Sequence, residues 1–269
     1  MVNFATAIEA GELPAANSQA DVQRRVSLGQ VTWAGPVIVM VARSFFMIVA
    51  QALVAAVYLA RGNPSPWNSA APWWTVYATL IDIGCLLLLL KFTRAEGIRL
   101  RDLVGKVRLR WGQDVFLGIA CFIVLVFMFS IPGWVAGRLG FEISHTAMYP
   151  GLFSERKLPL WGVIYSFSLF WLIWSPTEEM TYNGYALPRL QALTGRKWVA
   201  VSIVGFWWAL QHSFLPLIFD WKYVLWRFLF FLPGVIVITV LYLGMRRLAP
   251  LIFAHWPMDL AAVFYTLRL

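Results

Sequence analysis

Charge is scarce in this chain: 13% of its 269 residues are Asp, Glu, Lys or Arg. Histidine is scarcer, with three in all, and cysteine scarcer still, with two. So few cysteines exclude a disulfide framework. Cys85 and Cys121 both sit in apolar runs and read as buried thiols. Ten-residue segments alternating apolar and polar are missing, which argues against a membrane β-barrel. The first thirty residues lack a compact apolar core and carry Glu9 and Glu12. They read as a mobile polar tail over 1–30 and not as a secretory signal.

What the chain has in abundance is apolar surface. Hydrophobic residues make up 60% of it and the mean hydropathy is +0.69. A soluble domain of this length cannot bury that much. Several runs reach the ~20 residues that a helix needs to cross a bilayer. The expected fold is therefore all-α: one polytopic transmembrane bundle over 31–269. Its seven spans fall near 33–60, 73–91, 114–136, 158–180, 196–218, 226–245 and 249–267. A break in the first run, or a half-span over 181–194, makes eight.

A net charge of +9 in such a chain points to lipid headgroups and basic loops, not to nucleic acid. With the N-terminus in the cytoplasm, 14 Lys and Arg fall on the cytoplasmic side and 7 on the other. The expected location is the plasma (inner) membrane, multi-pass, N-terminus inside. The basic, amphipathic segment 91–113 is expected to lie on the cytoplasmic membrane surface.

Ionisable residues inside spans are costly and call for partners or a function. Here they are Arg43, Asp82, Glu178, Glu179, His212, His255 and Asp259. Arg43 and Asp82, on the first two spans, suit a buried pair that pins those helices together. Glu178 and Glu179 are adjacent, so they repel, and in a low-dielectric site the charge of at least one is disfavoured. A carboxylate poised in this way can act as a general base toward water. On a helix Glu178 faces Tyr182 and Glu179 faces Asn183. His212 closes WALQH, with Trp208 one turn before it; His255 opens HWPMD, with Asp259 one turn after it. Two of the three histidines thus join the acids on three spans, enough to build an inward-facing polar site. With a turn at Thr194–Gly195, Glu178 and His212 are each 17 residues from Gly195, so they share a depth. His255, nearer its own turn at 247–250, is expected to lie shallower. Pro188 is a candidate interruption of the helix between Glu179 and that turn.

EEMTYNG from Glu178, WALQH to His212 and HWPMD from His255 resemble, in order and rough spacing, the EExxxR, FxxxH and HxxxN/D motifs of the type II CAAX prenyl endopeptidases, also called CPBP or Abi intramembrane proteases. The resemblance covers about 175–260. It implies a helical fold of about eight spans and a site open to the cytoplasmic side, where water attacks a peptide bond without a covalent intermediate. Carried over, Glu178 is the general base, His212 holds and polarises the water, Glu179 supports the site, and His255 with Asp259 steadies the oxyanion. Trp208 and Asn183 are supporting positions. The substrate is a peptide or a membrane-anchored protein.

Two positions depart from that pattern. Asn183 stands where the family has Arg, and can hydrogen-bond Glu179 but not neutralise it. Asp259 stands for Asn, so it is either protonated or orients His255. Glu178, His212, His255 and Asp259 are ligand types that zinc accepts, but no HExxH is present, and metal-independent glutamate chemistry is the expectation. Two other functions compete. A non-catalytic scaffold or immunity-type protein of the same fold would account for Asn183. A proton-coupled transporter would use buried acids, although the chain shows no repeated halves.

Overall fold

The structure is a computed structural model that describes residues 14–105, 111–138 and 158–266. Glu9, Glu12, Lys106, Arg108, Arg110, Arg156, Lys157 and Arg268 lie outside the described residues. Among the described residues the regular structure is helical, without strands. The α-helices are α1 (Gln19–Ser27), α2 (Ala34–Ala60), α3 (Pro66–Ala70), α4 (Trp74–Ala95), α5 (Trp111–Arg138), α6 (Leu160–Tyr165), α7 (Trp171–Glu179), α8 (Leu187–Thr194), α9 (Lys197–Gln211), α10 (Trp221–Met245) and α11 (Ala249–Thr266). The main packed pairs are α5 with α11, α9 with α10, α2 with α4, α5 with α10, and α7 with α11.

Four stretches are long and apolar enough to cross a bilayer: Ala34–Ala60, Pro66–Ala95, Trp111–Val135 and Trp221–Met245. Their outer faces expose large apolar side chains such as Leu87, Phe116 and Phe127, a surface suited to lipid. The first run is unbroken. The remaining expected spans are helical in different ways. Residues 160–194 form one rod that alternates α and π: α6, a π turn Ser166–Phe170, α7, a π segment Met180–Ala186, then α8. Pro188 does not break it. Lacking an N–H, Pro188 cannot bond the carbonyl four residues back. That Gly184 carbonyl accepts from Asn17 Nδ2 instead (3.0 Å), and the wide π turns before Pro188 accommodate its ring. The rod ends at Gly195, left-handed at φ 65°, where glycine carries no steric penalty.

Span 196–218 needs correction. Helix α9 stops at Gln211, and 212–220 is an irregular loop. Pro216 cannot continue a helix and biases Leu215 away from helical geometry. The loop's polar backbone is answered by side chains. Leu217 O accepts from Gln51 Nε2 (3.0 Å) and Trp67 Nε1 (2.8 Å), and Leu217 N–H donates to Gln51 Oε1 (2.7 Å). Arg227 donates to His212 O (3.0 Å) and Leu215 O (2.9 Å). Irregular backbone at membrane depth persists only where protein buries and satisfies it in this way.

Residues 14–30 are not a mobile tail. Ser18 caps α1 by accepting from Asp21 N–H, and Asp21, Val22 and Arg25 are buried. Asn17, with φ 59°, bonds Gly184, and Arg189 Nη1 donates to Asn17 Oδ1 (3.0 Å). Arg189 is wholly buried and also meets both Glu96 oxygens, Nε at 2.9 and 3.1 Å and Nη2 at 2.5 Å. The segment expected to lie on the membrane surface, 91–113, also turns apolar residues into the protein. Ile98 and Leu103 are buried in the protein's main core, and Leu103 O sits 3.0 Å from where a Cβ on Gly184 would stand.

Two changes test this packing. A Cβ on Gly118 of α5 would stand 2.7 Å from Phe253 Cβ and 3.1 Å from Pro250 O on α11. Gly118→Ala therefore pushes α11 outward, at a cost of about 1–3 kcal/mol, read as a lower Tm in detergent. Glu96→Ala leaves the buried Arg189 charge unpaired, at a cost of about 3–5 kcal/mol. It should cut thermal stability more than Gly118→Ala does and speed proteolysis ahead of α1; unchanged stability would contradict the network.

Candidate active site

The polar site forms where α7, the end of α9 and α11 meet, with α2 behind them. Glu178 is fully buried at its centre. Its Oε1 accepts from Gln211 Nε2, and Gln211 Oε1 accepts in turn from Tyr182 O–H at 2.9 Å. The amide is thus held with its N–H toward Glu178 and its oxygen toward Tyr182. Tyr182 stacks on Trp208, centroids 4.9 Å apart and planes 6° apart, which fixes this side of the site.

His212 lies one residue past the end of α9. Its Nδ1 is 2.7 Å from Trp208 O, and a carbonyl only accepts, so Nδ1 carries the hydrogen. The ring lies flat on Phe231, centroids 3.7 Å apart. Nε2, free of that bond, faces Glu178 Oε1 at 4.0 Å. That gap is too long for a direct hydrogen bond and suits one bridging water. The similar depth expected for Glu178 and His212 is what the structure has.

His255 does not lie shallower. Its Nε2 is 3.3 Å from Glu178 Oε2 and its Nδ1 is 3.3 Å from Glu179 Oε1. The sequence estimate treated the two turns as level, and they are not. Leu248, at the start of α11, packs against Gly184, whereas Gly195 lies eleven residues further along the rod, roughly 16 Å at helical rise. Counted from the true contact, His255 is seven residues past Leu248 and Glu178 six before Gly184, which brings them level.

Asp259 joins the site as its one-turn spacing predicts. Oδ1 is 3.7 Å from His255 Nε2, and Oδ2 accepts from Ser175 Oγ at 2.5 Å. Ser175 thus fixes one oxygen of Asp259, and the other faces the His255 ring. Asn183 Nδ2 donates to Glu179 Oε2 at 2.8 Å, the hydrogen bond its spacing allows. All five acids and histidines thus converge, together with Asn183 and Trp208.

Sequence reasoning missed Gln211, Ser175 and the reach of Arg43. Arg43 pairs with Asp82 as expected (3.1 Å). It also comes from α2 to within 3.9 Å of Glu178 Oε1. Gln211 immediately precedes His212, a signal that was present but carries no charge. Cys85 and Cys121 are free and buried.

Zinc does not fit this donor set. The Arg43 guanidinium stands against the Glu178 carboxylate, where a cation would be repelled. No group of three or more His, Cys, Asp or Glu among the described residues is placed to hold a metal.

Fold and site define an all-helical integral membrane protein with a buried carboxylate–histidine centre. Residues 159–261 match the family model of type II CAAX prenyl endopeptidase Rce1-like proteins, the family that the three motifs resemble. The matched stretch contains all five acids and histidines of the centre; Arg43 and Asp82 fall outside it. No curated protein and no solved structure matches the chain.

The Tyr182–Gln211–Glu178 chain makes a prediction. Tyr182→Phe leaves Gln211 Oε1 buried and unpartnered, at a cost of about 1–3 kcal/mol. Gln211→Leu strips the donor from buried Glu178 and is costly by itself, but in the double variant no acceptor is stranded, so its loss of Tm should be smaller than the sum of the two single losses. An additive loss in the double would show that the chain does not exist.

Proposed function

We propose that the protein is an intramembrane endopeptidase in which Glu178 activates water without a metal. The observation that carries this is the convergence on buried Glu178 of His212 at 4.0 Å and His255 at 3.3 Å. A water between Glu178 Oε1 and His212 Nε2 donates a proton to the glutamate and attacks the peptide carbonyl. His255, with ring nitrogens facing carboxylates on both sides, suits two N–H donors and a positive charge that steadies the developing oxyanion. As the C–N bond breaks, Glu178 returns its proton to the leaving nitrogen. Glu179 holds His255 Nδ1, and Asp259, backed by Ser175, holds the Nε2 side.

The substrate is a peptide or a membrane-anchored protein near the cytoplasmic face. The cytoplasmic end is the one that gathers α1, the basic segment at 94–105 and the turn at 246–248, with Arg24, Arg25, Arg94, Arg99, Arg101, Arg246 and Arg247. Seven helical crossings follow. The rod 160–194, α9 completed by its loop, and α11 add three to the four long apolar stretches. The non-catalytic alternative drew on Asn183. The Asn183–Glu179 hydrogen bond and the nearby Arg43 charge weaken that argument.

The test is cleavage by the purified protein in liposomes, using a panel of peptide and membrane-anchored reporters. Glu178→Gln and His212→Ala should each lower kcat by about 10²–10⁴-fold, and a chelator should leave the rate unchanged. Loss of activity under chelator with rescue by zinc would overturn the metal-independent mechanism. Absence of cleavage across the whole panel would favour the scaffold.

A further inference from the structure

Arg43 is the one charged group of the site that comes from outside the matched residues. It belongs to α2, more than a hundred residues before Glu178. Its side chain is fully buried, and three contacts set its position. Nη1 donates to Asp82 Oδ1 at 3.1 Å on α4. The guanidinium lies over the Trp174 ring, 4.1 Å from its centroid, on the same helix as Glu178. Nη2 points to Glu178 Oε1 at 3.9 Å.

A guanidinium that served only Asp82 would have no reason to present Nη2 to a second carboxylate. Yet Nη2 and Nε make no hydrogen bond, and neither does Glu178 Oε2. Oε2 faces His255 Nε2 at 3.3 Å, so the carboxylate oxygen that Nη2 faces is Oε1. Buried donors with spare capacity are costly, and the Glu178 carboxylate is the charge that offsets that cost for Nη2. Position 183 cannot supply the charge: Asn183 is neutral, and its amide is committed to Glu179. On the charged side chains around Glu178, Glu179 repels, His255 attracts when protonated, and Arg43 is the permanent cation.

Building on the proposed catalytic use of Glu178, we propose that Arg43 is its positioning residue: anchored by Asp82 and Trp174, the guanidinium holds the Glu178 carboxylate aimed at the water site, from a helix more than a hundred residues before the motif position that Asn183 occupies. A planar guanidinium tethered at two points suits this task better than a flexible ammonium. Arg43 touches neither water nor substrate in this role; it acts through Glu178.

The competing view is that Arg43 merely neutralises Asp82 and pins α2 to α4. Arg43→Gln combined with Asp82→Asn separates the two. The pair keeps a hydrogen bond and neutralises Arg43 and Asp82 together, while His255 still faces Glu178 at 3.3 Å; the fold is checked by Tm and a monodisperse profile in detergent. Against the reporter panel, the double variant should lose kcat by roughly 10²-fold with KM little changed, and Arg43→Lys should recover part of that loss. Infrared difference spectra, each background minus its own Glu178→Gln version, isolate the Glu178 carboxyl band. That band should shift in the double variant and return toward its original position in Arg43→Lys. A folded double variant with full kcat and an unmoved Glu178 band would overturn the proposal. If the unsubstituted protein cleaves no reporter but the band still moves with Arg43, the protease function fails while the positioning of Glu178 by Arg43 stands.

Discussion

A carboxylate with no solvent exposure, inside a bundle whose outer faces are apolar, is the constraint on which the rest depends. Burying such a charge without compensation is prohibitively costly. The structure surrounds Glu178 with Gln211 and His212 from α9, His255 from α11 and Arg43 from α2. Each partner fixes the distance and register of one helix relative to α7. Lipid-facing apolar residues cannot do this, because they gain nothing by meeting each other rather than lipid. The glycine contacts are the steric counterpart. Gly118 lets α11 lie close against α5, and Gly184 lets the rod meet Leu103 and Leu248, so that His255 arrives at the depth of Glu178.

The same rule governs the backbone. Around the site the chain departs from α-helix three times, in two π segments and in the loop 212–220, and freed groups are met by side chains, some local and some distant in sequence. Asn17 takes the carbonyl that Pro188 leaves unbonded, Arg189 takes Tyr185 O, and Gln51, Trp67 and Arg227 hold the loop. These departures place the candidate site residues. His212 is offered at a helix end and not along a helix face, and Glu179 is the last residue before a π segment. π insertions commonly accompany functional positions, because the extra residue re-aims side chains at some cost in backbone geometry.

Much of this was legible beforehand, and the reason differs from residue to residue. Glu178, His212, His255 and Asp259 stood out because charge inside apolar runs is rare and has to be explained. The Arg43–Asp82 pair was legible for the same reason. Depth was not: a helix that is apolar all round shows its length by hydropathy but not its face or vertical offset, so His255 was placed too shallow. The end of α9 was hidden because LPLIF after Ser213 is as apolar as a span, and only Pro216 hints at a loop. Helix α1 was read as a tail because its sequence is polar. Its anchors, Asn17 to Gly184 and Arg189 to Asn17, join residues 167 and 172 positions apart, a separation over which local pattern carries no information.

The two departures from the family's motif pattern are best understood together. Replacing Arg by Asn at 183 removes a positive charge, and replacing Asn by Asp at 259 adds an acceptor that is negative when ionised. Both changes remove positive or add negative charge, and taken alone they would leave the two buried carboxylates with less compensation. The geometry offsets them at different points. Asp259 is matched locally, by Ser175 on one oxygen and His255 on the other. Against the charge absent at 183 stands Arg43 on α2, 3.9 Å from Glu178, whose own burial is made tolerable by Asp82 and Trp174. A site that depends on Arg43 cannot be assembled from residues 159–261 alone. Arg43 on α2 and Asp82 on α4 complete the charge pattern around Glu178, so under the proposed function the first two long helices serve the site as well as the membrane.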